Sequence, residues 1–228
     1  MGLRERKRRS TRQALQSAAL RLAAERGVEA VTVEEISAAV DVSSRTFFNY
    51  FRSKEEAIAG DHPWLPDPTK LRRILLDEPG DRLLGDVHRL LRAGLPRLAG
   101  QREELCLRRR LAEQSPSLTR ATLAVILADE DALRELLAHR LGSDPDGGAY
   151  ARLIAATTMT LLRVAVHDWM TDDPGTEHQL ATRVDQVLSL LVRLCRTAEE
   201  VPCNTSPPQP SRPKLPQAEQ YQSVARLP

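Results

Sequence analysis

Apolar residues recur at helical spacing along almost the whole chain, and no stretch alternates with the period of two that a half-buried strand needs. That pattern confines the fold to packed helices. Leu15, Ala18, Ala19 and Leu22 stand at i, i+3, i+4 and i+7, which predicts a first helix from about Thr11 to Arg26. Gly27 follows as a residue free to take a positive φ. Thr32 with Glu35 forms a capping box for a second helix, whose inner face is Val33, Ile36 and Val40. Asp41 and Val42 make a turn, and Ser43 caps a short third helix running to Tyr50 or Phe51. Ser53 with Glu56 repeats the capping box and opens a fourth helix at Lys54. The run DHPWLPDP places three prolines in residues 61–68 and cannot be continuous helix. Beyond it, helical patterns cover about 69–77, 81–98, 101–113, 117–141, 147–170 and 176–198. They are broken at Pro79-Gly80, Gly100, Pro116, the DPDGG run and Asp173-Pro174-Gly175.

The expectation is therefore an all-α chain with a small N-terminal helical unit and a larger C-terminal one. The divisions fall at a basic arm (1–9), a DNA-binding unit (10–60), a Pro-rich connector (61–68), a C-terminal helical domain (69–200) and a tail (201–228). Seven of the 28 tail residues are proline, too few apolar residues remain to fold alone, and disorder is expected there. No apolar run reaches the roughly 18 residues of a membrane span, and the basic N-terminus leads into no apolar signal region, so no membrane partner is expected. Cys106, Cys195 and Cys203 fit neither a disulfide framework nor a zinc site, which points to a reducing cytosol. There is no acidic–histidine cluster, no glycine-rich phosphate loop and no spaced catalytic triad. Neither metal, cofactor nor enzymatic activity is expected.

Residues 43–51 read SSRTFFNYF. Phe47, Phe48, Tyr50 and Phe51 are half of the eight aromatics in 228 residues. Two short helices joined by a tight turn make a helix-turn-helix, whose second helix reads base edges in the major groove. Phe47 and Phe51 lie four apart, share a face and can seal a core with Leu22, Ile36 and Val42. The other surface carries Ser44, Arg45, Thr46, Phe48, Asn49 and Tyr50. That set offers a fork for guanine, an amide for adenine and apolar edges for thymine methyls. The alternative is that all four rings are core. Charge is uneven: residues 1–54 hold 11 Lys/Arg against 6 Asp/Glu, in a chain whose net charge is only +2. A polyanion at that end fits, as does a solvated charged helix.

The run TVEEISAAVDVSSRTFFNYFRSKEEAI (32–58), preceded by ALRLAAERGVEAVTVEEI phrasing, resembles the DNA-binding domain of TetR-type transcriptional regulators over residues 8–59. Two positions depart from the usual pattern. Asp41 replaces a turn glycine, and Arg45 replaces a small residue, as in a subgroup reading RTFFxYF. The resemblance implies that Thr32 and Ser43 contact phosphate and that Arg45, Thr46 and Asn49 read bases, with Ser44 beside them. Phe48 would stack on sugar or a thymine methyl, and Tyr50 and Lys54 would bind flanking phosphates. The RERKRR arm would follow the backbone or enter the minor groove.

Regulators of this type carry a C-terminal helical domain for ligand binding and dimerisation. Helices 147–170 and 176–198 would pair across a two-fold axis as a four-helix bundle, or serve only as monomer core. His88, Cys106, Met159, His167 and Trp169 are the candidate ligand contacts for an unknown small-molecule effector, and Trp64 would staple the connector. The function expected is a homodimeric repressor released from a near-palindromic double-stranded operator by a small molecule. An activator or a ligand-independent regulator of the same fold remains open. So does an interaction adaptor using the PxxP match at Pro210–Pro213.

Overall fold

The first of the helices, α1, spans Leu3–Arg26 without a break, eight residues longer at its start than the spacing predicts. The protein is seen here as a computed structural model that describes residues 2–61, 65–80, 83–142, 146–172 and 175–198. Trp64, the first two residues of the DPDGG run, Asp173-Pro174 and the 201–228 tail, each singled out above, lie outside the described residues. The early start of α1 has a local cause. Residues 3–10 contain no Gly or Pro and are mostly Arg, Lys and Glu, all strong helix formers. Thr11 does not cap; its hydroxyl donates back to the Lys7 carbonyl at 3.1 Å. The basic arm is thus a solvent-exposed helical extension.

The next three helices follow the caps. In α2 (Val33–Ala38), Thr32 and Glu35 form both bonds of the capping box. Asp41 occupies φ +56° in the turn, the conformation usually left to glycine. Helix α3 (Ser44–Phe48) is capped by Ser43, and its last turn tightens through the Asn49 and Tyr50 N–H groups bonding three residues back. Ser53 caps α4 (Lys54–Ala59), but the box there is displaced: the Glu56 carboxylate accepts from the Arg52 N–H at 2.7 Å rather than from Ser53. Gly27 closes α1 at φ +84° and ψ 156°, outside the left-handed helical region and accessible only without a Cβ.

Helix α5 (Pro68–Arg72) is capped by Asp67 and runs into a wide π turn at 73–77, closed by the Glu78 N–H on the Arg73 carbonyl. Then come α6 (Leu83–Ala99), α7 (Arg102–Gln114), α8 (Pro116–Leu141), α9 (Gly147–Thr171) and α10 (Glu177–Ala198). Within the unit Met1–Leu191 there are two apolar cores. The larger joins α5, α6, α8, α9 and α10 around Leu75, Leu98, Leu137, Leu162 and Trp169. Helix α8 packs along α9 over much of its length.

Helix α9 is the most apolar of the long helices among the described residues. Its 25 residues include an 18-residue window of mean hydropathy 1.3, enough by length and composition to cross a bilayer. Its apolarity has another use. Ala155, Met159, Leu162, Val166 and Trp169 are buried in the protein core, while Arg152 and Arg163 on its outer side face solvent.

The smaller core contains Leu15, Ala19, Ile36, Phe47, Phe51 and Ile58, together with Leu111 of α7 and Leu118 of α8. A unit of about 55 residues has little core of its own, and here two leucines from the C-terminal helices complete it.

Candidate nucleic-acid interface

The rings of the 43–51 segment divide into two roles. Phe47 and Phe51 are 0 % and 1 % exposed, and their centroids lie 5.5 Å apart. Phe48 meets Phe47 edge-to-face at 5.5 Å yet is 56 % exposed. Arg45 and Asn49 are exposed beside it, and among the described residues neither side chain is held by a hydrogen bond. Arginine, amide and aromatic ring are therefore free to meet base edges on one short helix. Tyr50 is half-buried against the small core. Ser44 and Thr46 are half-exposed.

Several of the remaining candidates already have partners. The Ser43 hydroxyl accepts from the Thr46 N–H and lies 2.9 Å from the Thr46 hydroxyl. The Thr32 hydroxyl donates to Glu35 and accepts its N–H. Glu35 is further clamped by Arg26 at 2.8 Å; that bond, then those from Thr32, pull its carboxyl down to about 2. Lys54 differs most from expectation. Its ammonium donates to the Glu29 carbonyl at 3.2 Å and to the Val31 carbonyl at 2.9 Å, holding the α1–α2 loop. An ammonium has three donors, so one remains for a phosphate.

Two arginines missed in the sequence hold this unit in place. Arg12 forms a fork with Asp61 (2.7 and 2.9 Å), donates to the Tyr50 carbonyl at 2.7 Å and lies 4.3 Å from the Phe51 ring centroid. Burial opposes the ionisation of Asp61, but the Arg12 hydrogen bonds and charge keep its carboxyl below the usual range. Arg108 of α7, 8 % exposed, donates to the Ile58 carbonyl at 3.0 Å and pairs with Glu104. Burial lowers its pKa against the pull of Glu104. Gly60 ends α4 at φ +73°, and a Cβ there would stand 3.0 Å from the Arg108 guanidinium. Across the unit, Ser115 and Ser117 both donate to Glu29 at 3.2 Å. In a chain with 29 arginines, nothing local in the sequence marks Arg12 or Arg108.

The five candidate ligand contacts share no single cavity among the described residues. Met159 and Trp169 are core, 2 % and 0 % exposed, and the Trp169 indole donates to the Thr176 carbonyl. His88 is hydrogen-bonded to Asp185 at 2.8 Å. Cys106 lines an open groove of about 720 Å³ with Arg102, Arg110 and Met170. His167 lines a groove of about 570 Å³ with Arg163 and Met170. Both grooves border α7, the helix that carries Arg108 and Leu111 to the N-terminal unit.

Comparison with known proteins gives a consistent picture. The family described as "Bacterial regulatory proteins, tetR family" matches residues 15–58, and the MftR C-terminal domain matches residues 83–195. The HTH-type transcriptional regulator TcmR of Streptomyces glaucescens is 34 % identical over 174 residues, covering 74 % of this chain and 76 % of that protein. A crystal structure described as a putative TetR-family regulator from Syntrophomonas wolfei shares the fold. Its TM-score is 0.51 at 18 % identity, over 83 % of this chain and 96 % of that one.

Proposed function

The chain belongs to the tetR family of bacterial regulatory proteins and is a transcriptional regulator with a helix-turn-helix DNA-binding domain; on that premise we propose that it is a homodimeric repressor which an effector releases from a near-palindromic operator. The observation that carries the reading of its DNA face is the split in α3. Phe47 and Phe51 are sealed inside, while Arg45, Phe48 and Asn49 are exposed on the opposite surface. The run RTFFNYF (45–51) supports the reading that the protein belongs to the subgroup whose recognition helix reads RTFFxYF. Arg45, Thr46 and Asn49, with Ser44, read bases. Thr32, Ser43, Tyr50 and Lys54 contact phosphates, and the helical arm adds Arg4, Arg6, Lys7, Arg8 and Arg9 to that surface.

Dimerisation uses the outer stripe of α9, where Tyr150 (52 % exposed), Leu153 (63 %) and Val164 (40 %) accompany Leu190 (53 %) of α10. Exposed apolar side chains on two long helices suit a four-helix bundle across a two-fold axis. The effector binds beside α7, where Cys106 and His167 lie. Helix α7 reaches α4 through Arg108, so a shift of α7 moves the DNA-binding unit. Tenfold release needs about 1.4 kcal/mol of differential affinity. The protein performs no catalysis and works in the cytoplasm, on the nucleoid when bound. Arg45→Ala and Asn49→Ala should each cost about 1–3 kcal/mol on a selected operator, with relaxed preference at particular base pairs. Equal losses on operator and random duplex would show that they do not read sequence.

A further inference from the structure

A polar cavity of about 340 Å³ lies where α1 meets α6 and α7. Arg9, Arg12, Arg97 and Arg108 line it, against the carboxylates of Asp61 and Glu104. Arg12 and Arg108 are engaged there by Asp61 and Glu104, but among the described residues Arg9 and Arg97 have neither a hydrogen bond nor an ion pair. Gln16, 8 % exposed, also borders the cavity. Its buried amide nitrogen approaches Asp61 and helps lower that carboxyl's pKa, yet no acceptor meets it at hydrogen-bonding geometry. A buried donor without an acceptor is costly, and an incoming acceptor relieves that cost. Four guanidiniums around a partly open polar space suit the planar, bidentate recognition of an oxyanion.

We infer that this cavity is an effector site for a small dianionic oxyanion, a dicarboxylate or a phosphate monoester, whose binding weakens DNA affinity. Arg97 and Gln16 supply unused donors. Arg12 and Arg108 are the link to function. The guanidiniums that would turn toward the anion are the ones now holding the Tyr50 carbonyl at the end of α3 and the Ile58 carbonyl in α4. A bound anion competes with Asp61 and Glu104 for them and loosens the placement of both helices. This cavity shares Arg108 with the groove that His167 lines but contains neither Cys106 nor His167. Its effect on DNA rests on the operator-binding function proposed above.

The test titrates the full chain calorimetrically with inorganic phosphate and with succinate at constant ionic strength, then measures operator affinity with and without each. One saturable event per chain is expected with at least one anion. A stronger response to phosphate identifies a phosphorylated effector, and a stronger response to succinate an organic acid. Operator affinity should fall about tenfold, a coupling of about 1.4 kcal/mol. Arg97→Ala, at an exposed position, should lose both responses while binding operator normally without anion. Gln16→Leu should do the same if it folds, and Arg97→Ala suffices if it does not. Absence of saturable binding to either anion would overturn the site, as would native-like binding by Arg97→Ala. Binding with unchanged operator affinity would overturn the coupling. A native chain that binds no operator under any condition would refute the regulatory reading instead, and the calorimetric result would still decide the site.

Discussion

Replacing Phe48 and Phe47 by alanine in turn should separate reading DNA from holding the fold. Phe47 is 0 % exposed, and its ring meets both Phe48 and Phe51 at 5.5 Å. Truncating a ring so enclosed leaves a cavity and typically costs about 3–5 kcal/mol. That is a large part of the roughly 5–15 kcal/mol that holds an ordinary domain together. Phe48 is 56 % exposed and makes one edge-to-face contact, worth about 0.5–1.5 kcal/mol beyond its area. Phe48→Ala should therefore unfold within about 1 kcal/mol of the native chain. On a duplex selected from a random pool by the native protein, the same substitution should weaken binding by about 1–3 kcal/mol, roughly 5- to 150-fold. Urea unfolding followed by circular dichroism gives the first quantity, and fluorescence anisotropy on labelled duplex the second. A Phe48→Ala chain as unstable as Phe47→Ala, or one that binds the duplex as well as the native protein, would refute the division of the rings.

Lys54→Gln should flatten the dependence of log affinity on log salt by about 0.9 and weaken all duplexes alike, since one phosphate contact is lost. An unchanged slope would mean the ammonium stays on the Glu29 and Val31 carbonyls when DNA is bound. Asp129 on α8 is half-buried; burial raises its carboxyl to about 6 against the pull of Arg97, with Asp61 adding to the rise. In the folded state it holds its proton more tightly than in the unfolded chain, so stability falls as pH rises from about 4 to 6 and stays lower above that. Asp129→Asn should consequently be more stable than native at pH 8 by about 1–2 kcal/mol, allowing for partial exposure, and equal to it near pH 4. Urea unfolding at the two pH values checks this, and a variant less stable at pH 8 would contradict it.

The caps and the turn were legible because each depends on residues three or four apart. Thr32–Glu35, Ser43 and the positive φ of Asp41 are local events. The start of α1 was placed eight residues late because the apolar spacing begins only at Leu15, and the charged residues 3–10 form helix without an apolar period. The displaced box at Ser53 is a finer failure, since Glu56 could reach either neighbouring N–H. Long-range contacts were not legible. Arg12 meets Asp61 across 49 residues and Arg108 meets Ile58 across 50, and neither spacing leaves a periodic signal. Leu111 and Leu118 read as ordinary core positions of their own helices, not as parts of the N-terminal core. Among the proposed ligand contacts, residue type alone was the guide. Type cannot separate a buried Trp169 or Met159 from a Cys106 that lines a groove.

The central claim is that a two-fold dimer presents two α3 helices to successive major grooves of one operator. Selection of duplexes from a random pool, followed by footprinting and sedimentation of the complex, tests it directly. Two recognition helices in adjacent grooves on one face must lie roughly 34 Å apart, about 10 base pairs or a multiple. The account predicts enrichment of a near-palindrome with that half-site spacing, bound by an even number of chains. Leu153→Asp and Leu190→Asp together should give monomers that lose the palindrome. Enrichment of a single asymmetric site bound by one chain, or no enrichment over random duplex, would contradict it.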